Sequence, residues 1–95
     1  MPECAVDRLL RKVMSKWTAH ILWILLKHGE QRFGYLRKQL VYVSPKVLTA
    51  RLRMLEAEGF VHREMEHQIP PKVSYRLTGR GREIAEIIDL LARTA

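Results

Sequence analysis

Apolar residues recur every three or four positions along much of this 95-residue chain, the spacing that places side chains on one face of an α-helix. Five stretches show it, and their apolar positions are, in chain order, Val6, Leu9, Leu10 and Val13; Trp17, Ile21, Ile24 and Leu25; Leu36 and Leu40; Leu48, Leu52 and Leu55; and Ile84, Ile87, Ile88 and Leu91. The second stretch, about Lys16–His28, is apolar on nearly all sides, which is typical of a central core helix. The pattern therefore predicts five helices.

Residues suited to helix ends flank the last two of these stretches. Ser44 is placed to accept a hydrogen bond from an amide of the first turn. Pro45 fits the first helical position because its missing N–H has no partner to lose there. Gly59 suits the left-handed residue that ends this helix, and Thr78 is the predicted cap of the last one. The fourth helix is therefore predicted over Ser44–Glu58.

Two stretches between the fourth and last helices, Phe60–Glu66 and Lys72–Leu77, have the composition and alternation of β-strands. The segment His67–Pro71 separates them, and its two prolines cannot lie within a paired ladder. We therefore predict a hairpin with a protruding tip. A short extended piece is also predicted at Gln31–Phe33, before a third helix at Gly34–Leu40.

Helices, a tight turn, a basic helix and a hairpin follow one another in the order of a winged helix-turn-helix domain. The predicted fold class is α+β, mainly helical, with a two-stranded β-hairpin as the wing. Residues 1–95 are too few for two domains of ordinary size, so we expect a single domain. In this arrangement Ser44–Glu58 is the recognition helix and His67–Lys72 is the tip of the wing.

Positive charge is concentrated where the helix-turn-helix is predicted. The chain has a formal net charge of +7, and the stretch Gln31–Leu55 contains no Asp or Glu. Its basic residues are Arg32, Arg37, Lys38, Lys46, Arg51 and Arg53. A localised positive surface suits a polyanion, because each phosphate that is contacted releases condensed counterions. Duplex DNA is therefore the predicted partner.

The candidate DNA-binding residues lie on the recognition helix, on the wing and near the start of the helix-turn-helix. They are Arg32, Arg37, Ser44, Lys46, Thr49, Arg51, Arg53, Arg63 and Lys72. Lys46, Thr49 and Arg53 share the face opposite the leucines, Arg51 flanks them, and small Ala50 lets the backbone approach a groove. The Ser44 hydroxyl and the amides behind it suit a phosphate.

Other classes of function find little support in the composition. The start of the chain lacks the uninterrupted apolar core of a signal peptide, and no apolar run reaches the roughly 20 residues of a membrane span. The four histidines show no metal-ligand spacing with each other or with the single cysteine. No nucleophile constellation or phosphate-binding glycine loop occurs. We expect a cytoplasmic protein that is not an enzyme and that carries no metal or cofactor.

Several short motifs resemble those of the HxlR-type transcriptional regulators, at the spacing of that family. They are Cys4-Ala5-Val6, Lys16-Trp17-Thr18, Arg32-Phe33-Gly34-Tyr35-Leu36, Ser44-Pro45-Lys46-Val47-Leu48-Thr49, Arg51-Leu52-Arg53, Glu56-Ala57-Glu58-Gly59 and Tyr75-Arg76-Leu77-Thr78. The chain departs from the family at Met14-Ser15, where glycines are common, and at Val41-Tyr42, where Pro-Gly is common. The resemblance implies a winged helix-turn-helix that binds DNA and regulates transcription.

A homodimer is expected from the two ends of the chain. The apolar stripes of the first and last helices together exceed what one small core readily buries. The family resemblance implies the same arrangement. A two-fold dimer presents two recognition helices, so the operator is expected to be an inverted repeat with half-sites about one helical turn apart.

Cys4 is a candidate redox-sensing residue. It lies at the predicted start of the first helix, where helix-end amides and the nearby Arg8 favour a thiolate. The family resemblance implies that a cysteine at this place senses an oxidant or an electrophile. With one cysteine per chain, the available products are an intersubunit disulfide, a mixed disulfide or an alkylated thiol. The alternative is a small buried residue that only fills a gap.

Two other binding roles compete with DNA recognition. A winged helix also serves as a protein–protein adaptor, although such surfaces usually mix charges or expose an apolar groove. RNA binding is the other alternative, and the sequence shows no exposed aromatic pair on which bases would stack. The steep salt dependence of duplex-DNA binding distinguishes the first prediction from the adaptor.

Overall fold

The computed structural model describes residues 4–15 and 17–94. In this part the chain forms α1 (Ala5–Val13), α2 (Thr18–His28), β1 (Gln31–Arg32), α3 (Phe33–Gln39), α4 (Pro45–Ala57), β2 (Val61–Glu66), β3 (Lys72–Leu77) and α5 (Gly79–Arg93). The predicted winged helix-turn-helix is confirmed, with α4 as the recognition helix and β2–β3 as the wing. Each predicted helix is present, with ends shifted by a few residues.

The start of α2 differs from the sequence prediction. The helix was expected from Lys16, which lies outside the described residues, and it begins at Thr18. Trp17 precedes it in the left-handed region, with φ of 74°, a conformation that a helix cannot continue through. The Ser15 and Thr18 hydroxyl oxygens lie 2.7 Å apart, which holds this junction together.

The predicted helix ends at the recognition helix and at α5 are confirmed. The Ser44 hydroxyl accepts a hydrogen bond from the Val47 amide at 3.1 Å, and the Thr78 hydroxyl accepts one from the Gly81 amide at 3.0 Å. Gly59 follows α4 with φ of +80°, the left-handed conformation that only glycine adopts without strain. The caps fix where α4 and α5 begin, and so where their side chains point.

The sheet has three strands in the order β1-β3-β2, whereas the sequence predicted a two-stranded hairpin and a separate extended piece. Both pairings are antiparallel, with Gln31 opposite Tyr75 in one and Arg63 opposite Tyr75 in the other. The extended piece pairs because β3 would otherwise keep an open edge of backbone donors and acceptors. Arg32 ends β1 and is also the residue before α3, so the sheet fixes the start of the helix-turn-helix.

The core lies between α2, the inner faces of α4 and α5, and the base of the sheet. Its largest completely enclosed side chains are Phe60, Ile21, Leu22, Leu36, Leu40, Leu48, Leu52 and Leu55. The predicted central role of α2 is confirmed, since Ile21, Ile24 and Leu25 are all buried. Burying side chains of this size contributes about 1.5–3 kcal/mol each, so the leucine face of α4 anchors the recognition helix firmly.

A polar link joins α2 to α5 at the edge of the core. The Asp89 carboxylate accepts a hydrogen bond from the Trp23 indole at 3.0 Å and pairs with Lys27 at 2.9 Å and Arg93 at 3.0 Å. The hydrogen bonds from Lys27 and from Trp23 hold the pKa of Asp89 below its ordinary value of 3.8. The carboxylate is therefore ionised at neutral pH, with its partners in place.

The start of α5 lies directly against the end of the recognition-helix segment. The Phe60 carbonyl accepts a hydrogen bond from the Thr78 amide at 3.1 Å, and the Thr78 hydroxyl donates one to the Gly59 carbonyl at 2.6 Å. Gly81 packs so closely on Phe60 that a Cβ atom there would overlap the Phe60 carbonyl oxygen. Only glycine, which has no Cβ atom, therefore fits at residue 81, where α5 packs against the segment that joins α4 to β2.

We expect Gly81→Ala to destabilise the domain by about 1–3 kcal/mol, the usual cost of overpacking, because the contact is with backbone that cannot swing aside. Urea unfolding monitored by circular dichroism measures this as a lower midpoint. The matched control is Gly79→Ala, where nothing lies within 4 Å of the added methyl group and φ is ordinary. That variant should be neutral or slightly stabilised. Equal midpoints for the two variants would contradict the close contact.

Candidate DNA-binding surface

The recognition helix α4 has an apolar face and a polar face. Leu48, Leu52 and Leu55 are all 0% exposed. On the opposite side Lys46, Ala50 and Arg53 are exposed and Thr49 is half-buried. Residues three and four apart lie on one face of a helix, so the leucines turn the long donors outward with the small Ala50 between them. This matches the face that the sequence predicted.

The N-terminus of α4 is open to solvent. The Ser44 hydroxyl oxygen caps the Val47 amide, so its own O–H remains able to donate to a phosphate oxygen. The first turn of α4 contains no acidic residue. The helix dipole and the free amides of the first turn therefore favour an anion at this end.

Arg63 and Glu64, neighbours on β2, point to opposite faces of the wing. Arg63 and its cross-strand partner Tyr75 lie on one face, because side chains alternate along a strand. His62 and Glu64 lie on the other, 2.7 Å apart, and this hydrogen bond lowers the pKa of Glu64. The alternation along β2 therefore keeps the Glu64 carboxylate off the face that carries Arg63.

A concavity of about 430 Å³ lies between α4 and the wing. Its polar lining comes from Arg32, Thr49, Arg53, Arg63 and Lys72, all of which the sequence named as candidates. The remaining lining residues are Phe33, Gly34, Pro71, Val73 and Tyr75. The fold therefore brings candidates from the start of α3, from α4 and from both wing strands into one place.

A second concavity, of about 750 Å³, lies beside the turn between α3 and α4. It is lined by the predicted residues Arg37 and Ser44, together with Lys38 and Tyr42. The Tyr42 side chain is 89% exposed. The candidate residues named from the sequence did not include Lys38 or Tyr42. Two features of the sequence could have identified them: Lys38 lies in the acid-free stretch, and Tyr42 lies just before the recognition helix.

Two candidates on α4 line neither concavity. Lys46 is exposed at the start of the helix. Arg51 is half-buried, and its Nε is enclosed with no hydrogen-bond partner in the described part of the chain. Part of the Arg51 side chain thus packs against the domain. Arg53, on the outward face of the helix, is exposed.

Cys4 lies far along the chain from this surface, at the start of α1. Its sulfur accepts a hydrogen bond from the Asp7 amide at 3.4 Å, so it is the N-cap of the helix. The side chain is exposed, so the alternative of a buried gap-filling residue is wrong for the single chain. Lys12, two turns on, pairs with Glu58 at 2.5 Å and so connects α1 to the end of α4.

The apolar stripes of the terminal helices are each divided between core and solvent. Val13 and Ile88 are buried in the core of the chain. The exposed apolar residues of this region are Val6, Leu10 and Met14 at α1, and Ile87, Leu90 and Leu91 on α5. Both terminal helices therefore present apolar surface that the single chain does not cover.

No metal site or membrane span is found within residues 4–15 and 17–94. There the His, Cys, Asp and Glu side chains form no group of three or more suited to a metal ion. Nor does that part of the chain contain a helix both long and apolar enough to cross a bilayer.

Comparison with protein families finds one match, described as an HxlR-like helix-turn-helix, over residues 12–95. The chain is 41% identical over 85 residues to the HTH-type transcriptional regulator YybR of Bacillus subtilis (strain 168), an alignment that covers 90% of this chain and 67% of YybR. It is 37% identical over 90 residues to the HTH-type transcriptional regulator YtfH of Escherichia coli (strain K12), covering 95% and 71%. The chain thus spans about two thirds of the length of these relatives.

Among solved structures, the chain resembles the redox regulator HypR in its oxidised form. The TM-score is 0.86 at 37% sequence identity, and the match covers 95% of this chain and 92% of HypR. The arrangement of helices and wing is therefore shared with this regulator over nearly its whole length.

Proposed function

The chain belongs to the HxlR-type family of winged helix-turn-helix transcriptional regulators, and on that premise we propose that it binds specific duplex DNA as a homodimer. The observation that carries this proposal is that Arg32, Arg53, Arg63 and Lys72, from separate elements, line one concavity whose lining contains no acidic residue. Such a surface gains free energy from phosphates through counterion release.

In the proposed complex α4 enters the major groove with Lys46, Thr49 and Arg53 toward the bases and the adjacent phosphates. An arginine there can donate two hydrogen bonds to one guanine. The wing, about His67–Lys72, follows the backbone or enters the neighbouring minor groove. Ser44 and Arg37, on the second concavity, suit a phosphate at the start of the recognition helix.

The adaptor alternative fits the surface less well. An adaptor would bind through mixed charge or an apolar groove, whereas the outward face of α4 holds cations and small residues. The exposed large apolar residues fall into two groups. Val41, Tyr42, Val47, Met65 and Ile69 are spread over the helix-turn-helix and the wing, whereas Val6, Leu10, Met14, Ile87, Leu90 and Leu91 lie on or beside the terminal helices. The group on the terminal helices suits a second copy of the chain, and the basic face suits DNA.

We expect Arg53→Ala to weaken binding to a duplex selected from a random library by about tenfold or more. If Arg53 contacts a base, preference at one position relaxes; if it contacts phosphate, all sequences weaken evenly and the salt slope falls by about one. Fluorescence anisotropy across a salt series measures both quantities.

The matched control is Arg82→Ala, which removes the same charge from an exposed residue on α5 outside both concavities. Its affinity should change little. Equal losses of DNA affinity in the two variants would show that only net charge matters. If the affinity of the unmodified protein for duplex DNA did not depend on salt, the adaptor would be favoured.

The proposed dimer is formed by α1 and α5. Both helices expose apolar residues, among them Leu10 and Leu90, and burying such surface between two copies of the chain stabilises the dimer by about 25 cal/mol per Å². A two-fold axis between the helices would set the spacing of the two α4 helices. The operator is accordingly proposed to be an inverted repeat.

Leu90→Glu should convert the dimer to a monomer, because a buried unpaired carboxylate in the interface is costly. Sedimentation at micromolar concentration measures the mass. Ile69→Glu, which places the same charge on the fully exposed wing tip, should leave the mass of the dimer unchanged. A monomeric mass for the unmodified protein would refute the dimer.

We also propose that Cys4 makes DNA binding responsive to thiol chemistry. The thiol is exposed, it caps a helix of the proposed dimer interface, and the similar regulator HypR is described as a redox regulator. Two Cys4 thiols from two subunits form one disulfide and pass two electrons and two protons to the oxidant. A quinone would instead alkylate one thiol.

We expect diamide or a quinone to change the DNA affinity of the unmodified protein and to leave Cys4→Ser unaffected. A non-reducing gel separates an intersubunit disulfide from a monomeric adduct. Serine keeps a hydroxyl that can accept the Asp7 hydrogen bond, so the variant preserves the cap. An identical response in both proteins would assign the effect to groups other than Cys4.

A further inference from the structure

Four basic residues and no acidic residue line the concavity between α4 and the wing. Arg32, Arg53, Arg63 and Lys72 all line it, and the lining includes no Asp or Glu. In residues 4–15 and 17–94 none of the four forms an ion pair with an acidic side chain. Like charges that converge on a partly enclosed site repel each other, so an entering anion is strongly favoured.

The other walls of the same concavity are apolar and aromatic. Phe33, at the start of α3, and Tyr75, on β3, line it together with Val73 and Pro71. Tyr75 is only 6% exposed, so its ring belongs to a fixed wall. Cations around an apolar wall suit a ligand that has both a charged group and a flat apolar body.

The size of the concavity also exceeds what one phosphate group needs. Its volume of about 430 Å³ lies within the range of about 300–1,000 Å³ that is usual for small-molecule sites. A phosphate of the DNA backbone would pair with basic lining residues such as Arg53 and would leave the aromatic wall of Phe33 and Tyr75 uncovered. The basic residues suit any oxyanion, whether it belongs to DNA or to a small molecule. The aromatic wall suits only a small molecule that carries an apolar group beside its oxyanion.

We propose that this concavity binds a small aromatic oxyanion, a carboxylate or a phosphate monoester, in competition with a phosphate of the DNA backbone. The charged group is held by Arg53, Arg63 and Lys72, the ring packs against Phe33 and Tyr75, and Thr49 supplies a hydroxyl from the recognition helix. The competition rests on the proposed DNA binding. Occupation of the site therefore releases the operator without any change at Cys4.

Phenyl phosphate is a suitable probe because it combines both features in one small molecule. We expect isothermal titration of the DNA-free protein to give one site per chain. The dissociation constant should be at least about tenfold lower than for inorganic phosphate or for phenol at the same ionic strength, because only phenyl phosphate satisfies both walls. Equal affinities for phenyl phosphate and inorganic phosphate would overturn the aromatic part and leave a plain phosphate site.

The residues are tested with Arg63→Gln and Lys72→Gln, which lie on different strands, so that a folding defect in one leaves the other informative. Each should weaken phenyl phosphate by about tenfold or more, since each removes a charge-assisted hydrogen bond. Arg82→Gln, the matched control on α5, should bind the probe like the unmodified protein. A loss that is equal in Arg82→Gln would overturn the site.

The competition is measured with labelled operator DNA at constant ionic strength. Phenyl phosphate at ten times its dissociation constant should raise the apparent dissociation constant for DNA about elevenfold. An unchanged DNA affinity with the probe bound would overturn the competition. Binding of the probe by a protein that binds no duplex would support the anion site and refute the proposed function, so the two failures are distinguishable.

Discussion

The burial of Leu48, Leu52 and Leu55 fixes the rotation of α4 about its own axis, and the basic surface depends on that rotation. The three leucines are completely enclosed, whereas Lys46 and Arg53, on the opposite side of the helix, are exposed. Turning the helix by one residue position, about 100°, would expose leucine to water and bury an arginine, and both changes are costly. The apolar core thus determines where the charge is presented.

The arrangement of charge over the rest of the chain follows the same separation. Two acidic side chains are paired away from the recognition face: Asp89 with Lys27 and Arg93, and Glu58 with Lys12. The cations around the concavity lack such partners in the described part of the chain. A domain with seven excess positive charges can pair its few acids selectively, which leaves one face strongly positive.

The sequence was sufficient to predict features set by neighbours along the chain. Helix α4 with its cap at Ser44 and its left-handed Gly59 depends on local spacing and local hydrogen bonds, and both were predicted correctly. The pairing of β1 with β3 and the presence of Phe33 and Tyr75 in one concavity depend on residues more than 40 positions apart, which periodicity does not relate. The basic members of the site were therefore predictable from charge, and its aromatic wall was not.

Helix α4 is the element on which the two proposed signals would both act. At its C-terminus Glu58 pairs with Lys12 of α1, which lowers the pKa of Glu58, and the Glu58 carbonyl accepts a hydrogen bond from Arg80 at 3.1 Å. Cys4 is the N-cap of that same α1, so the proposed change at the thiol would reach α4 through its C-terminal anchor. The aromatic anion would instead act on the exposed face at Thr49 and Arg53. The two proposed signals would thus reach one helix at separate contacts, and neither would require the other.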